Sequence, residues 1–195
     1  MFLTRLYYTF FLTLLPCCLV AAQNSSTITI TPFATYTQFG TTLGLNSAIG
    51  YGGALGFEAG SVIRLQLHAV VTRTDQEYDL VSDIGRIPVD VTILQLQGEY
   101  LLTRFASIAD ISASLAAGYM KLHTGEQRVS LGALGQVVVP EREETVVLYS
   151  AGGVMSRALS TRFAVRLEPK ISLWSRSGQL QSHWSITGGI SIGIL

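Results

Sequence analysis

Apolar and polar residues alternate along most of the chain. In "VIRLQLHAVV", residues 62–71, Ile63, Leu65, Leu67, Ala69 and Val71 share one parity, and Arg64, Gln66 and His68 share the other. A period of two marks a β-strand with one apolar and one polar face. Segments of this kind fall at 27–37, 48–58, 62–72, 89–100, 109–122, 145–156, 163–174 and 184–194. Most are about as long as the ~9–11 residues that a tilted membrane-crossing strand needs. No helical period of comparable length competes with them, and "LLTRFASIAD", residues 101–110, reads as a connection.

The links between segments alternate in length. "AGS" at 59–61, residues 101–108 and "RALST" at 157–161 are short. "QFGTTLGLNS" at 38–47, "RTDQEYDLVSDIGRIP" at 73–88, "HTGEQRVSLGALGQVVVPEREE" at 123–144 and "SRSGQLQSH" at 175–183 are long and polar. Short turns on one side and long loops on the other are the hairpin rhythm of a membrane β-barrel. An even strand count returns both termini to the turn side, the periplasmic side of such a barrel. Asp75, Glu77, Asp79, Asp83 and Arg86 lie in the second long loop, and Glu126, Arg128, Glu141, Arg142, Glu143 and Glu144 in the third. They read as solvated loop charges.

The next question is which face meets which medium. In "FAVRLEPKISL", Phe163, Val165, Leu167, Pro169, Ile171 and Leu173 oppose Arg166, Glu168 and Lys170. A basic side chain on a lipid face costs about 2–4 kcal/mol near the bilayer midplane, so the charged face must point inward. Other polar faces are small, such as Ser112, Ser114, Ala116 and Gly118, or Ser185, Thr187, Gly189, Ser191 and Gly193. A soluble sheet would carry longer charged side chains there. Inside an eight-stranded barrel, small residues make room for a few long ones. Glu58, Arg64, Arg166, Glu168 and Lys170 are the expected lumen charge network, with His68, Gln97 and Glu99 as further candidates. Trp174 shares the parity of the charges. The fourth segment changes phase: Val89, Val91 and Ile93 share the parity of Gln95, Gln97 and Glu99, so a bulge near Ile93 and Leu94 is expected. Tyr36, Tyr51, Tyr119, Tyr149 and Trp184 fall near the loop ends of strands, and Phe57, Tyr100, Phe105 and Phe163 near the turn ends, as two interfacial bands would.

Composition sharpens this picture. Charged residues make up 13% of the chain, against about 25% in soluble domains. Lys121 and Lys170 are the two lysines, although soluble β proteins use lysine to protect sheet edges. "MFLTRLYYTFFLTLLPCCLVAAQ" has a charged n-region, an apolar run and small residues before a cut, so residues 1–22 read as a signal peptide and 23–195 as one barrel domain. A lipoprotein signal acylated at Cys17 or Cys18 has poorer flanks. Both cysteines leave with the leader, so no disulfide or thiol chemistry is expected. Thirteen basic and thirteen acidic residues give no sign of a nucleic-acid partner. CxxC, HExxH and P-loop patterns are absent from the sequence, and His68, His123 and His183 are too dispersed to suggest a metal or cofactor.

"GYGGALGFEAG" followed by "VIRLQLHAVV", then "LAAGYMKL", then the closing "WSITGGISIGIL" together resemble the small eight-stranded outer-membrane barrels of the outer membrane protein A and X type. The resemblance spans nearly the whole chain after the leader. It implies an all-β, antiparallel up-and-down transmembrane barrel in a bacterial outer membrane. The leading expectation is a non-enzymatic protein that presents four surface loops on a side-chain-filled barrel, with a structural, adhesive or envelope-stabilising role. Outer-membrane lipids, lipopolysaccharide and the barrel-assembly machinery are the implied partners. Such barrels usually end in an aromatic residue, whereas this chain ends in Leu195. Two other functions compete. His183-Trp184-Ser185 is similar to the His-x-Ser of lipid A deacylases, in which a His beside a Ser activates an ester-cleaving nucleophile, but Ile186 stands where those enzymes carry Asn. A soluble ligand-binding barrel would require an apolar interior, and the lipocalin Gly-x-Trp near the first strand is missing.

Overall fold

The computed structural model describes residues 28–40, 44–80, 83–105, 109–130, 136–176 and 178–194. The expected signal peptide and Leu195 lie outside the described residues. The strands are β1 (Ile28–Phe39), β2 (Ala48–Ala59), β3 (Ile63–Leu80), β4 (Asp83–Phe105), β5 (Ala109–Thr124), β6 (Gln127–Ser130), β7 (Gln136–Val139), β8 (Arg142–Ala158), β9 (Phe163–Arg176) and β10 (Gln179–Gly193). Eight of them close a barrel in the order β1-β10-β9-β8-β5-β4-β3-β2, and every neighbouring pair is antiparallel. The protein is therefore an all-β, up-and-down barrel. Closure of β1 on β10 leaves no unpaired sheet edge around the wall.

Alternation sets the two faces of this wall. In β9, Phe163, Val165, Leu167, Ile171 and Leu173 are exposed on the outside, while Arg166, Glu168, Lys170, Ser172 and Trp174 are buried inside. In β1, Thr29, Thr31, Phe33, Thr35, Thr37 and Phe39 point inward. Small inward residues decide where large ones fit. Gly52 and Gly189 pair with Phe33 from either side. A Cβ at Gly189 would stand 2.6 Å from the Pro32 carbonyl oxygen and 2.7 Å from Phe33 Cβ, and one at Gly52 would meet the Phe33 ring and the Ala69 carbonyl oxygen. Glycine at both positions leaves the room that Phe33 occupies inside the wall.

Four expectations need correction. The strands outrun their predicted ends, because the second long loop is mostly paired β-ribbon. Its register continues from Arg73↔Asp90 to Leu80↔Asp83, so its charges stand on the two strands of a hairpin. The third loop likewise carries its own two-stranded sheet, β6 with β7. The "LLTRF" half of the supposed connection belongs to β4, where Thr103, Arg104 and Phe105 pair with Ile111, Asp110 and Ala109. Finally, no bulge occurs at Ile93 and Leu94. Pairing with β3 and β5 runs unbroken through both residues, and the register shifts instead between Leu101 and Thr103, leaving Leu102 unpaired.

Candidate functional site

The phase change of the fourth segment has a different cause: the inside of the barrel changes polarity along its axis. Val89, Val91, Ile93, Gln95, Gln97 and Glu99 all point inward. The first three lie toward the loops and meet an apolar layer. The last three lie toward the turns and meet charges.

The turn-side half holds a ladder of ion pairs in which most members touch two opposite charges. Glu58 pairs with Arg64, whose Nη1 lies 3.9 Å from Glu99 Oε2. Arg166 grips both carboxylate oxygens of Glu99, with Nη1 donating to Oε2 at 3.2 Å. Arg166 Nη2 also lies 3.9 Å from Glu168 Oε2, and Lys170 Nζ lies 2.9 Å from Glu168 Oε1. Lys170 ends the ladder by donating to Gln97 Oε1 at 2.7 Å, while Gln97 Nε2 donates to Glu99 at 3.0 Å. Three acids face three bases, so the buried charge sums to zero. That balance is the condition for ionised groups to survive at such burial. The Gln66 amide fits the ladder with its nitrogen toward His68 Nε2 at 2.7 Å and Glu99 at 3.2 Å, and its oxygen accepting from Arg166 at 3.2 Å. Hydroxyls fill the remaining inner surface, as in Gln95 Nε2 to Ser150 at 2.6 Å, and Ser150 with Ser172 at 2.8 Å.

Toward the loops, Phe39, Leu45, Val89, Val91, Ile93, Met120, Leu122, Val146, Leu148 and Trp174 form one buried cluster across the lumen. Val91, Met120 and Leu148 are 0% exposed and Trp174 is 2% exposed. Polar atoms at the edge of this layer are left over. Among the described residues, Trp174 Nε1 and His183 Nδ1 have no hydrogen-bond partner, although the two rings lie 5.1 Å apart. The outside gains charged pairs at this end, among exposed Tyr119, Val147 and Tyr149. Arg73 faces Asp90 at 3.8 Å, and Lys121 faces Glu143 at 2.9 Å, all on the exposed surface. A polar collar thus surrounds an apolar plug.

The five expected lumen charges Glu58, Arg64, Arg166, Glu168 and Lys170 all lie within the ladder, and so do the further candidates Gln97 and Glu99. His68 sits beside them, with its ring 5.6 Å from that of Phe33. Sequence reasoning missed the apolar layer. Its signal was the run Val89, Val91 and Ile93 on the parity of the charges, together with Trp174 on that same parity. Tyr36, Tyr51, Tyr119, Tyr149 and Trp184 are exposed on the outer wall, and the Tyr36 and Trp184 rings lie 5.6 Å apart. Tyr100, Phe105 and Phe163 are exposed near the turns.

Two chemical possibilities are limited by this geometry. His68, Glu99 and Glu168 each place a ligand atom within 4.8 Å of the others, as a cation site would. Both carboxylates are already engaged by Arg166 and Lys170, so positive charge occupies that space. His183 and Ser185 are both buried on the inner face, with His183 packed between Phe39 and Trp174. Neither side chain meets the outer surface, where a lipid ester would lie.

No family model matches the sequence, and no curated protein does. Solved structures do match the fold. Neisserial surface protein A aligns with a TM-score of 0.59 at 11% identity, covering 88% of this chain and 100% of that one. The outer membrane protein OprG from Pseudomonas aeruginosa aligns with a TM-score of 0.55 at 9% identity, covering 87% of this chain and 95% of that one. The fold is that of the small eight-stranded outer-membrane β-barrels.

Proposed function

We propose that this protein is a bacterial outer-membrane barrel, non-enzymatic, that holds its long loops above the lipid on a plugged wall. The observation that carries this reading is the inversion of faces. Leu55, Leu67, Leu94, Leu96, Leu115, Leu167 and Ile171 point outward, while Gln66, Gln97, Glu99, Arg166 and Glu168 are buried inside. Such a wall is stable only where its outer solvent is apolar. A soluble carrier barrel would need the reverse arrangement through this half. The exposed tyrosines and Trp184 suit the level of the lipid headgroups.

On this reading the loops and the β6–β7 hairpin face the cell exterior, and both termini face the periplasm. The surroundings of the wall are outer-membrane lipids and lipopolysaccharide, and the barrel-assembly machinery inserts the chain. The role is structural, adhesive or envelope-stabilising. The inward placement of His183 and Ser185 supports a non-enzymatic reading over a deacylase. Fractionation of expressing cells tests the proposal. Recovery in the detergent-extracted membrane fraction, with a gel mobility that shifts on boiling, is expected. Recovery in the soluble periplasm would overturn it. A change in lipid A acyl-chain number that depends on His183 would overturn the non-enzymatic part.

A further inference from the structure

Basic side chains in this protein stand against acids, and one turn breaks the rule. Among the described side chains, each lysine and arginine but two lies beside a carboxylate. The two are Arg157, near the end of β8, and Arg162, just before β9, and neither side chain has a partner among the described residues. The stretch "RALSTRF", residues 157–163, holds two bases and no acid. The other short turns differ. "AGS" at 59–61 is uncharged, and Arg104 before the β4–β5 turn faces Asp110 at 3.7 Å.

Position narrows what these bases can meet. Val154 is buried in the lumen and Ser156 lines the turn-side cavity, so Met155 and Arg157 point outward from β8. Arg157 pairs in register with Val165, and Met155 with Ile111 and Leu167, all exposed and apolar. An arginine on a lipid-facing wall is tolerated near the rim of the hydrocarbon, where its guanidinium reaches polar groups. The turn itself is held in shape. Ser160 Oγ accepts from the Arg162 and Phe163 amides at 3.3 and 3.2 Å, and the Leu159 amide donates to the Phe163 carbonyl at 2.8 Å. The Gly193 amide of β10 donates to the Arg162 carbonyl at 2.8 Å. Two guanidinium groups on a fixed turn suit a phosphate. Exposed Leu159 and Phe163 beside them suit hydrocarbon. A phospholipid carries both parts, and its acyl chains continue along the apolar wall. No acid on the turn meets an ammonium headgroup, so a headgroup of net negative charge fits best. We propose that the β8–β9 turn is a docking site for an anionic phospholipid of the turn-side leaflet, with Arg157 and Arg162 supplying the charge for its phosphate. This proposal rests on the membrane-barrel reading above.

The test is native mass spectrometry of the protein released from detergent micelles, after incubation with phosphatidylglycerol or phosphatidylcholine of the same acyl chains. Boiling-dependent gel mobility first shows that each sample is folded. Unmodified protein is expected to retain phosphatidylglycerol over phosphatidylcholine. Arg157→Gln/Arg162→Gln should cut the retained phosphatidylglycerol by about tenfold or more. Arg73→Gln/Lys121→Gln, at the loop end where both bases already face acids, should leave it unchanged. Equal retention of the two lipids, no loss in the turn variant, or an equal loss in the loop-end variant would each overturn the site. Displacement of the lipid by an equal concentration of glycerol phosphate would show a site for a free anion and overturn the lipid. If the double variant does not fold, the single substitutions decide, each with an expected loss of about fivefold. No loss in either would overturn the site. A protein that never enters the membrane fraction would instead defeat the barrel reading itself.

Discussion

The two halves of this barrel are filled by different chemistry. In the turn-side half the wall is apolar outside and polar inside. In the loop-side half exposed charges, Arg73, Asp90, Lys121 and Glu143, join exposed Tyr119, Val147 and Tyr149 on the outside, and the inside is apolar around Met120 and Leu148. The same strands make both halves without a break in register: β4 passes from one to the other at Ile93 and Gln95. The difference teaches that strand parity sets which side of the wall a residue occupies, while the medium outside sets which chemistry belongs there. Where lipid surrounds the wall, the interior can hold charge. Toward the loops, where exposed charges join the outer wall, the interior packs a hydrophobic core of its own.

Several substitutions would break or sharpen this contrast. The largest effect is expected at Glu99→Ala. It leaves Arg166 buried without its main partner and weakens the hold on Arg64, a loss of about 3–5 kcal/mol for a broken buried pair. Denaturant titration of the folded protein in lipid vesicles would measure it, and a loss under about 1 kcal/mol would show the ladder to be loosely hydrated. Leu148→Ala removes packing at the centre of the plug and should cost about 2–5 kcal/mol in the same assay. A negligible cost there would mean that the loop-side half has no real core.

Leu167→Arg places a cation on the outer wall of the turn-side half. It should cost about 2–4 kcal/mol if that wall lies in the hydrocarbon, measured by the same titration. If the variant is as stable as the parent, that stretch lies outside the bilayer. The smallest effect belongs to Lys121→Leu in the polar collar. Its pair with Glu143 is exposed and worth about 0–1 kcal/mol, so stability should hardly change. A large loss at Lys121 would move the collar into a buried environment and erase the contrast between the halves.

Alternation alone located most of the barrel. Arg166, Glu168 and Lys170 within "FAVRLEPKISL" could only point away from lipid, and they stand in one ladder with Glu99, which lies on β4. The partners were not legible, because Glu99 and Arg166 are 67 residues apart in sequence and meet only when β4 and β9 face each other across the lumen. The strand ends were not legible either. Polar residues such as Asp75, Glu77 and Arg86 look like loop in one dimension, and they pair as β-ribbon once β3 and β4 are side by side. Val89, Val91 and Ile93 suggested a bulge because one apolar face was assumed to serve the whole strand.

What the sequence by itself determined is the strand period, the hairpin rhythm and the face on which each charge must lie. Those follow from local geometry, in which successive side chains alternate across the wall. What only the tertiary structure decided is the division of the lumen into a charged half and an apolar half. That division depends on the height at which each strand delivers its inward residues. Closure of β1 on β10 and the register of every pair bring Val91, Met120, Leu148 and Trp174 into one layer, and Glu99, Arg166, Glu168 and Lys170 into the other.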